Sequence, residues 1–150
     1  LDAINQMNYT ITTLKKRYVI DNVHQQWSYV LKVKDPAGKK IKISADIKTV
    51  ITPGTKGVFQ FKLRELKNQN GKQTSLRYVG TDIKKSQDWQ KVTSTHVIHK
   101  DAVAVQIFLV ASNMDEKSSG EAKNITWEII EQLPLLQKNA ASPCGVRQFF

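Results

Sequence analysis

Apolar and polar residues alternate along most of this chain, with the two-residue period of a β-strand that turns one face to a core. Trp27, Tyr29, Leu31 and Val33 take one phase of the first clear segment; Ser28, Val30 and Lys32 take the other. Ile41, Ile43, Ala45 and Ile47 alternate with Lys40, Lys42, Ser44, Asp46 and Lys48. In Val58 to Leu66, Phe59, Phe61 and Leu63 alternate with Gln60, Lys62 and Arg64. Trp89 to Ile98 is rich in Val and Thr, whose β-branching suits a pleated surface. Val103, Val105, Ile107 and Leu109 recur at every second position, and so do Ile125, Trp127 and Ile129 in a segment that runs to Leu133. Pro134 stops that last segment. Weaker patterns predict strands near residues 8–14 and 17–20 and a short return strand from Leu76 to Val79.

The punctuation between these segments is that of turns. In Asp35-Pro36-Ala37-Gly38 the proline presets φ and the aspartate offers a local hydrogen bond. Thr52 to Gly57 reads as a loop, and Asn70-Gly71 is a strong hairpin signal, because both residues tolerate positive φ. Gly80–Asp88 and Ser112–Lys123 read as long polar loops. His99-Lys100-Asp101-Ala102 is a polar step that can carry the chain from one sheet to another. No segment holds a 3.6-residue period. About eight short strands at this spacing predict an all-β fold, an antiparallel β-sandwich of jelly-roll type. Residues 1–134 form that domain in this reading, and residues 135–150 a C-terminal tail or linker.

Composition narrows the picture. A length of 150 residues suits one domain with a real core. No apolar run approaches the roughly 20 residues that span a bilayer. The chain opens on LDAINQ, which reads as a mature form or a piece cut from a larger protein. Its formal net charge of +10 favours an acidic partner: nucleic acid, anionic polysaccharide or a phospholipid surface. The same lysines, alternating with apolar residues, also serve as the wet, protected face of strands. A single cysteine, Cys144, excludes an intrachain disulfide and a cysteine-based zinc site. Asn8-Tyr9-Thr10 and Asn124-Ile125-Thr126 match the glycosylation pattern, which is common by chance.

A resemblance emerges from the order of short motifs: Trp27-Ser28-Tyr29, Lys42 to Lys48 (KISADIK), Phe59-Gln60-Phe61, Asn70-Gly71, Asp88 to Val92 (DWQKV) and Ala102 to Ile107 (AVAVQI). Together they resemble the galactose-binding-like jelly roll of carbohydrate-binding modules, over about Trp27 to Leu133. The resemblance implies a sandwich that binds sugar or packs as an accessory domain on a larger protein. One departure is that the family's aromatic-Asp pair in the last strand is absent, with Trp127-Glu128 the nearest match. That carboxylate often stands near a structural calcium, so the resemblance leaves a structural calcium open; no other cofactor and no metal ligand is indicated.

Sugar recognition needs flat aromatic faces for C–H surfaces and planar polar groups for hydroxyls. Gln60, Lys62 and Arg64 project together from one strand, and Gln106 joins them if its strand lies alongside. Asp46 and Lys48 are further candidates for that face, and so is Arg77, which alternates with Leu76 and Tyr78. The result would be a polar, net positive concave face suited to an acidic glycan. Trp27, Trp89 and Trp127 read as core, Tyr29 shares the phase of Trp27, and Tyr78 is the candidate exposed platform.

Catalysis finds little support. His96 and His99 fall on opposite faces of a continuing strand, and His24 has no partner in the pattern. No G-x-S-x-G, phosphate loop or Cys/His pairing occurs. The expectation is therefore a non-enzyme: a carbohydrate-binding module-like domain of a larger extracytoplasmic protein (secreted, periplasmic or cell-surface), with a glycan or sister domains as partners. Two other classes stay open: a structural or docking sandwich of a cell-envelope protein, and nucleic-acid binding by a basic face. The second is disfavoured because aromatics and lysines occupy opposite phases, whereas stacking of bases wants them interleaved.

Overall fold

The computed structural model describes residues 10–14 and 25–130 of the chain. Eight strands appear in it: β1 (Thr10–Leu14), β2 (Gln25–Val30), β3 (Lys40–Val50), β4 (Val58–Gln69), β5 (Lys72–Ile83), β6 (Gln87–Val97), β7 (Ala104–Ser112) and β8 (Ser119–Ile130). They form two four-stranded sheets, β1-β8-β3-β6 and β2-β7-β4-β5, with every pairing antiparallel. This order, with the chain changing sheet at every connection except the β4–β5 hairpin, is that of a jelly roll. No helix occurs among the described residues.

The alternating apolar positions meet between the sheets. Ile41, Ile43, Ala45 and Ile47 from β3 and Ile125 and Trp127 from β8 are buried against Phe59, Phe61 and Leu63 from β4 and Val105, Ile107 and Leu109 from β7. Burying side chains of this size contributes about 1.5–3 kcal/mol each, and a one-residue slip would expose a whole row to water. Gly120 on β8 is required by this packing. A Cβ there would stand 2.3 Å from the ring of Phe59, far inside contact distance.

Several elements differ from the sequence expectation. The return strand is not four residues but the twelve of β5, and the predicted Gly80–Asp88 loop shrinks to residues 84–86. The predicted Ser112–Lys123 loop shrinks likewise, because β8 already begins at Ser119. The end of β5 turns polar side chains to solvent beside the buried Ile83, and the buried positions at the start of β8 are the small Gly120 and Ala122, so periodicity hid the strands. β2 ends at Val30, three residues early. Val103 precedes β7 and is exposed rather than in the core. The Asn70-Gly71 turn is as expected: φ is +53° and +81°, the backbone of a type I′ hairpin joining β4 to β5. Residues 98–103 carry the chain from one sheet to the other, as the polar step indicated. The predicted strand at 17–20, Cys144 and the predicted tail at 135–150 lie outside the described residues.

Two polar clusters fix the loops. Asp115 Oδ1 accepts from Ser118 Oγ (2.7 Å), Thr52 Oγ1 (3.0 Å) and Lys117 N (3.0 Å), tying the β3–β4 loop to the β7–β8 loop. The bond from Ser118 first, then that from Thr52, holds the Asp115 carboxyl below the usual carboxylate range. The turn between β5 and β6 is pinned to β3 through Thr49 Oγ1 to Lys85 O (2.7 Å), Ile51 N to Ser86 Oγ (2.8 Å) and Gln87 Nε2 to Ile47 O (3.1 Å).

Candidate functional site

Antiparallel pairing decides which side chains share the outer face of the β2-β7-β4-β5 sheet. Arg64 stands opposite Gln106 on β7 and Tyr78 on β5, and Lys62 stands opposite Phe108 and Gly80. Gln60 stands opposite Val110 and Asp82. Their neighbours Phe59, Phe61 and Leu63 point into the core, so these residues point out. The structure thus brings together the five residues singled out from the sequence: Gln60, Lys62, Arg64, Tyr78 and Gln106.

Three of them, Gln60, Lys62 and Tyr78, line a groove of about 510 Å³ together with Gln26, Phe108 and Val110, and Arg64 and Gln106 continue the same face beside it. Tyr78 is 45% exposed, and its ring lies 5.3 Å from that of Phe108 at a tilt of 52°. The Arg64 guanidinium carbon lies 5.7 Å from both ring centroids, within the range of a cation–π contact.

Hydrogen bonds lock Arg64 in that position. Its Nε and Nη2 donate to Ser75 Oγ (2.8 and 2.6 Å), and its Nη1 donates to Gln106 Oε1 (3.2 Å). With two bonds accepted, Ser75 is left to donate its own O–H toward Tyr78 Oη at 3.4 Å. A guanidinium carries five N–H donors, so two remain for a ligand. Both of Arg64's hydrogen-bond partners are neutral, and no carboxylate pairs with it among the described residues. Lys62 differs: its Nζ lies 2.9 Å from Asp82 Oδ1, which also accepts from Gln60 Nε2 at 2.9 Å. Burial alone would raise the Asp82 carboxyl. The bonds from Lys62 and Gln60, with the charges of Lys62 and Lys84, outweigh it and hold the group below the usual range.

Gly80 makes the Lys62–Asp82 contact feasible. Its φ is +149°, and a Cβ there would lie 2.4 Å from Phe61 O and 2.8 Å from Lys62 Cα. Only glycine lets the backbones approach this closely and leaves room for Lys62 to cross β5.

Three of the sequence candidates lie elsewhere. Asp46 and Lys48 sit on β3 of the other sheet, where Asp46 accepts from Asn124 Nδ2 at 2.7 Å. Arg77 faces the opposite way from Tyr78. Its Nε and Nη2 bind the two oxygens of Glu65, and Nη2 also donates to Val97 O (2.9 Å) on β6. Glu65 is completely buried and also accepts from His99 N at 3.0 Å. The bond to Glu65 raises the Arg77 pKa against the opposing effect of burial. Beside this cluster, burial first, then the charge of Arg77, pushes the His96 imidazole below its ordinary value.

Trp89 also departs from expectation. It shares the outward phase of Lys91, which pairs with Asp46, and Lys123 Nζ lies 4.1 Å from its ring centroid. It is therefore half-buried under a lysine outside the core. Trp127 is in the core, and Trp27 and Tyr29, stacked at 6.3 Å, pack at its margin. Sequence reading missed Phe108, Ser75 and Asp82. Phe108 hides in the apolar run IFLVA; only its phase, opposite to Ile107 and Leu109, marks it as outward. Among the described residues no three His, Cys, Asp or Glu side chains converge as a metal site, and no helix is long and apolar enough to cross a membrane.

No protein-family model matches the chain, and no curated protein matches it in sequence. Solved structures do share its fold. The enzymatically active domain of bacteriophage CBA120 tailspike protein 4 superposes with a TM-score of 0.58 at 12% identity, over 83% of this chain and 18% of that one. A family 16 carbohydrate-binding module superposes with a TM-score of 0.52 at 11% identity, over 81% of this chain and 75% of the module. This chain thus matches under a fifth of the tailspike protein's length and three quarters of the module's. The likeness is one of fold: an antiparallel β-sandwich.

Proposed function

We propose that the chain is a non-catalytic glycan-binding domain and that the outer face of the β2-β7-β4-β5 sheet is its site, with acidic glycans as the preferred class. The observation that carries this reading is Arg64: a guanidinium fixed by Ser75 and Gln106, laid along Tyr78 and Phe108, and without a carboxylate partner among the described residues. A sugar ring carries both an apolar C–H face and a rim of hydroxyls. The exposed Tyr78 ring and the Phe108 floor suit the first, while the second donor of Gln106, the Oε1 of Gln60 and Tyr78 Oη suit the second. The two remaining donors of Arg64 suit a carboxylate on the ring, because fixed guanidinium donors recognise planar anions well.

The fold shared with a carbohydrate-binding module agrees with this reading. An accessory role in a larger extracytoplasmic protein follows from it, since acidic polysaccharides are chiefly surface and matrix polymers. A glycan array probed with the folded chain at low and high salt tests the proposal. Hits on uronate-bearing glycans, weakened by salt and lost when Gln60, Lys62, Arg64 and Gln106 are all changed to Ala without loss of the folded state, support it. A blank array with folded protein would favour the structural or docking role.

A further inference from the structure

Asp82, bonded to Lys62 and Gln60 of the outer-face groove, itself lines a second groove. It measures about 580 Å³ and follows the edge where the end of β5 turns into β6. Thr81, Asp82, Lys84, Lys85, Gln90 and Lys91 are prominent in its lining. No aromatic ring is among its lining residues, so it offers nothing to stack a sugar upon.

Its charge is unbalanced. Asp82 is the one carboxylate in the lining, and it is occupied by Lys62 and Gln60 from the neighbouring groove. Lys84, Lys85 and Lys91 are exposed, and among the described residues none of them is ion-paired. Two of these three sit on a turn that is held in place. Thr49, Ile51 and Ile47 of the adjoining sheet bond to Lys85, Ser86 and Gln87, so the backbone that presents Lys84 and Lys85 is fixed before any ligand arrives.

The two grooves are joined through Asp82, which lines this one and bonds to two residues lining the other. We infer that the edge groove is an electrostatic extension of the glycan site, which holds the continuing chain of an acidic polysaccharide through Lys84, Lys85 and Lys91. The inference rests on the proposed glycan site. In that arrangement the outer face recognises one or two sugar units by shape and by Arg64, and the edge contacts the charges of later units without reading their identity. Preference for long over short acidic chains follows, since only a chain that passes Asp82 reaches the lysines.

The test compares a tetramer and a dodecamer of galacturonate, with hyaluronan oligomers of the same two lengths as a second acidic probe. Binding to the intact 150-residue chain is measured by calorimetry at two salt concentrations. The expected result is that the wild type binds the dodecamer about tenfold more tightly than the tetramer, beyond the gain from repeated sites, with the steeper salt dependence. Lys84→Ala/Lys85→Ala/Lys91→Ala should erase that margin and leave tetramer binding unchanged. Charge reversal, Lys84→Glu/Lys85→Glu, should weaken the dodecamer further, and the thermal transition of each variant checks folding. Equal loss of tetramer and dodecamer, or no loss of either, overturns the inference. Arg64→Ala separates it from the underlying reading: loss of the tetramer in that variant upholds the outer-face site whatever the lysine variants do. If the triple variant loses affinity for a single-stranded oligonucleotide but not for either glycan, the lysines belong to a nucleic-acid site and the inference falls.

Discussion

Arg64 and Arg77 lie on paired strands and have the same chemistry, yet the sheet puts them to opposite uses. Arg77, on the other face of β5, closes from the exposed sheet edge on Glu65, a carboxylate with no exposure at all, and then reaches Val97 O on β6 of the other sheet. Its charge is compensated, and three of its donors tie the two sheets together at an open edge. Arg64 turns outward and is held by Ser75 and Gln106, neither of which carries charge. Position is fixed in both cases by three donated hydrogen bonds, but only Arg64 keeps a charge that no carboxylate compensates among the described residues. The difference teaches how to tell a structural cation from a binding one. Order alone does not decide it; order without electrostatic compensation does.

Arg77→Ala should have the largest effect on stability. It leaves Glu65 as a buried carboxylate without its cation, a loss of about 3 kcal/mol or more. Urea unfolding at neutral pH reads this directly, and glycan binding at temperatures where the variant is folded should be preserved. A loss below about 1 kcal/mol would show that water or another group relieves Glu65, and the contrast between the arginines would weaken. Gly80→Ala comes next. Its Cβ would collide with Phe61 O, so a cost of about 2–3 kcal/mol is expected, together with weaker binding as Lys62 is displaced.

Arg64→Ala should move stability by about 1 kcal/mol at most, because its partners are solvated when it leaves. It should nevertheless abolish most affinity for an acidic glycan, about tenfold or more. Arg64→Lys keeps the charge but not the fork, and should recover only part of the binding. A variant that loses as much stability as Arg77→Ala would reassign Arg64 to the scaffold.

The smallest expected effects are those of pH. His96 has its folded pKa depressed, so below the ordinary imidazole range the unfolded chain takes up a proton that the folded chain resists. Stability should therefore fall as pH drops below about 6.5, and His96→Gln should flatten that slope. Asp82 is depressed in the folded state as well, so its contribution is present above the usual carboxylate value and lost as pH falls through the lowered one. With a partly exposed pair, that contribution is expected to stay under about 1 kcal/mol. Unfolding midpoints measured from neutral pH down to the carboxylate range separate the two.

Much of this was legible in the chain. The inward rows of β3, β4 and β7 alternate so cleanly that their core faces and the sandwich follow from them, and Asn70-Gly71 marked its hairpin. Gln60, Lys62 and Arg64 shared a face for the same reason, and Gln106 and Tyr78 joined them once pairing was known. What stayed hidden depends on residues far apart in sequence. Arg77 and Tyr78 are neighbours whose facing is set by pairing across β4, and nothing local says that Glu65 is buried to receive the arginine. The end of β5 and the start of β8 read as loops because polar side chains, and the small buried residues Gly120 and Ala122, mask a strand from hydrophobic periodicity. Trp89 matched a motif, but its phase beside Lys91 placed it outside the core.

The central claim is that the outer face of β2-β7-β4-β5, and not the opposite sheet, recognises the ligand. Titrating the isotope-labelled chain with a galacturonate oligomer while following backbone amide and arginine side-chain resonances tests it most directly. The account expects saturable shifts centred on Arg64, Tyr78, Gln106 and Phe108, including the Arg64 Nε–H, with Arg77 unmoved. Shifts centred on Trp89, Lys123 and Asp46 of the opposite sheet, or shifts scattered evenly over the lysines, would contradict it.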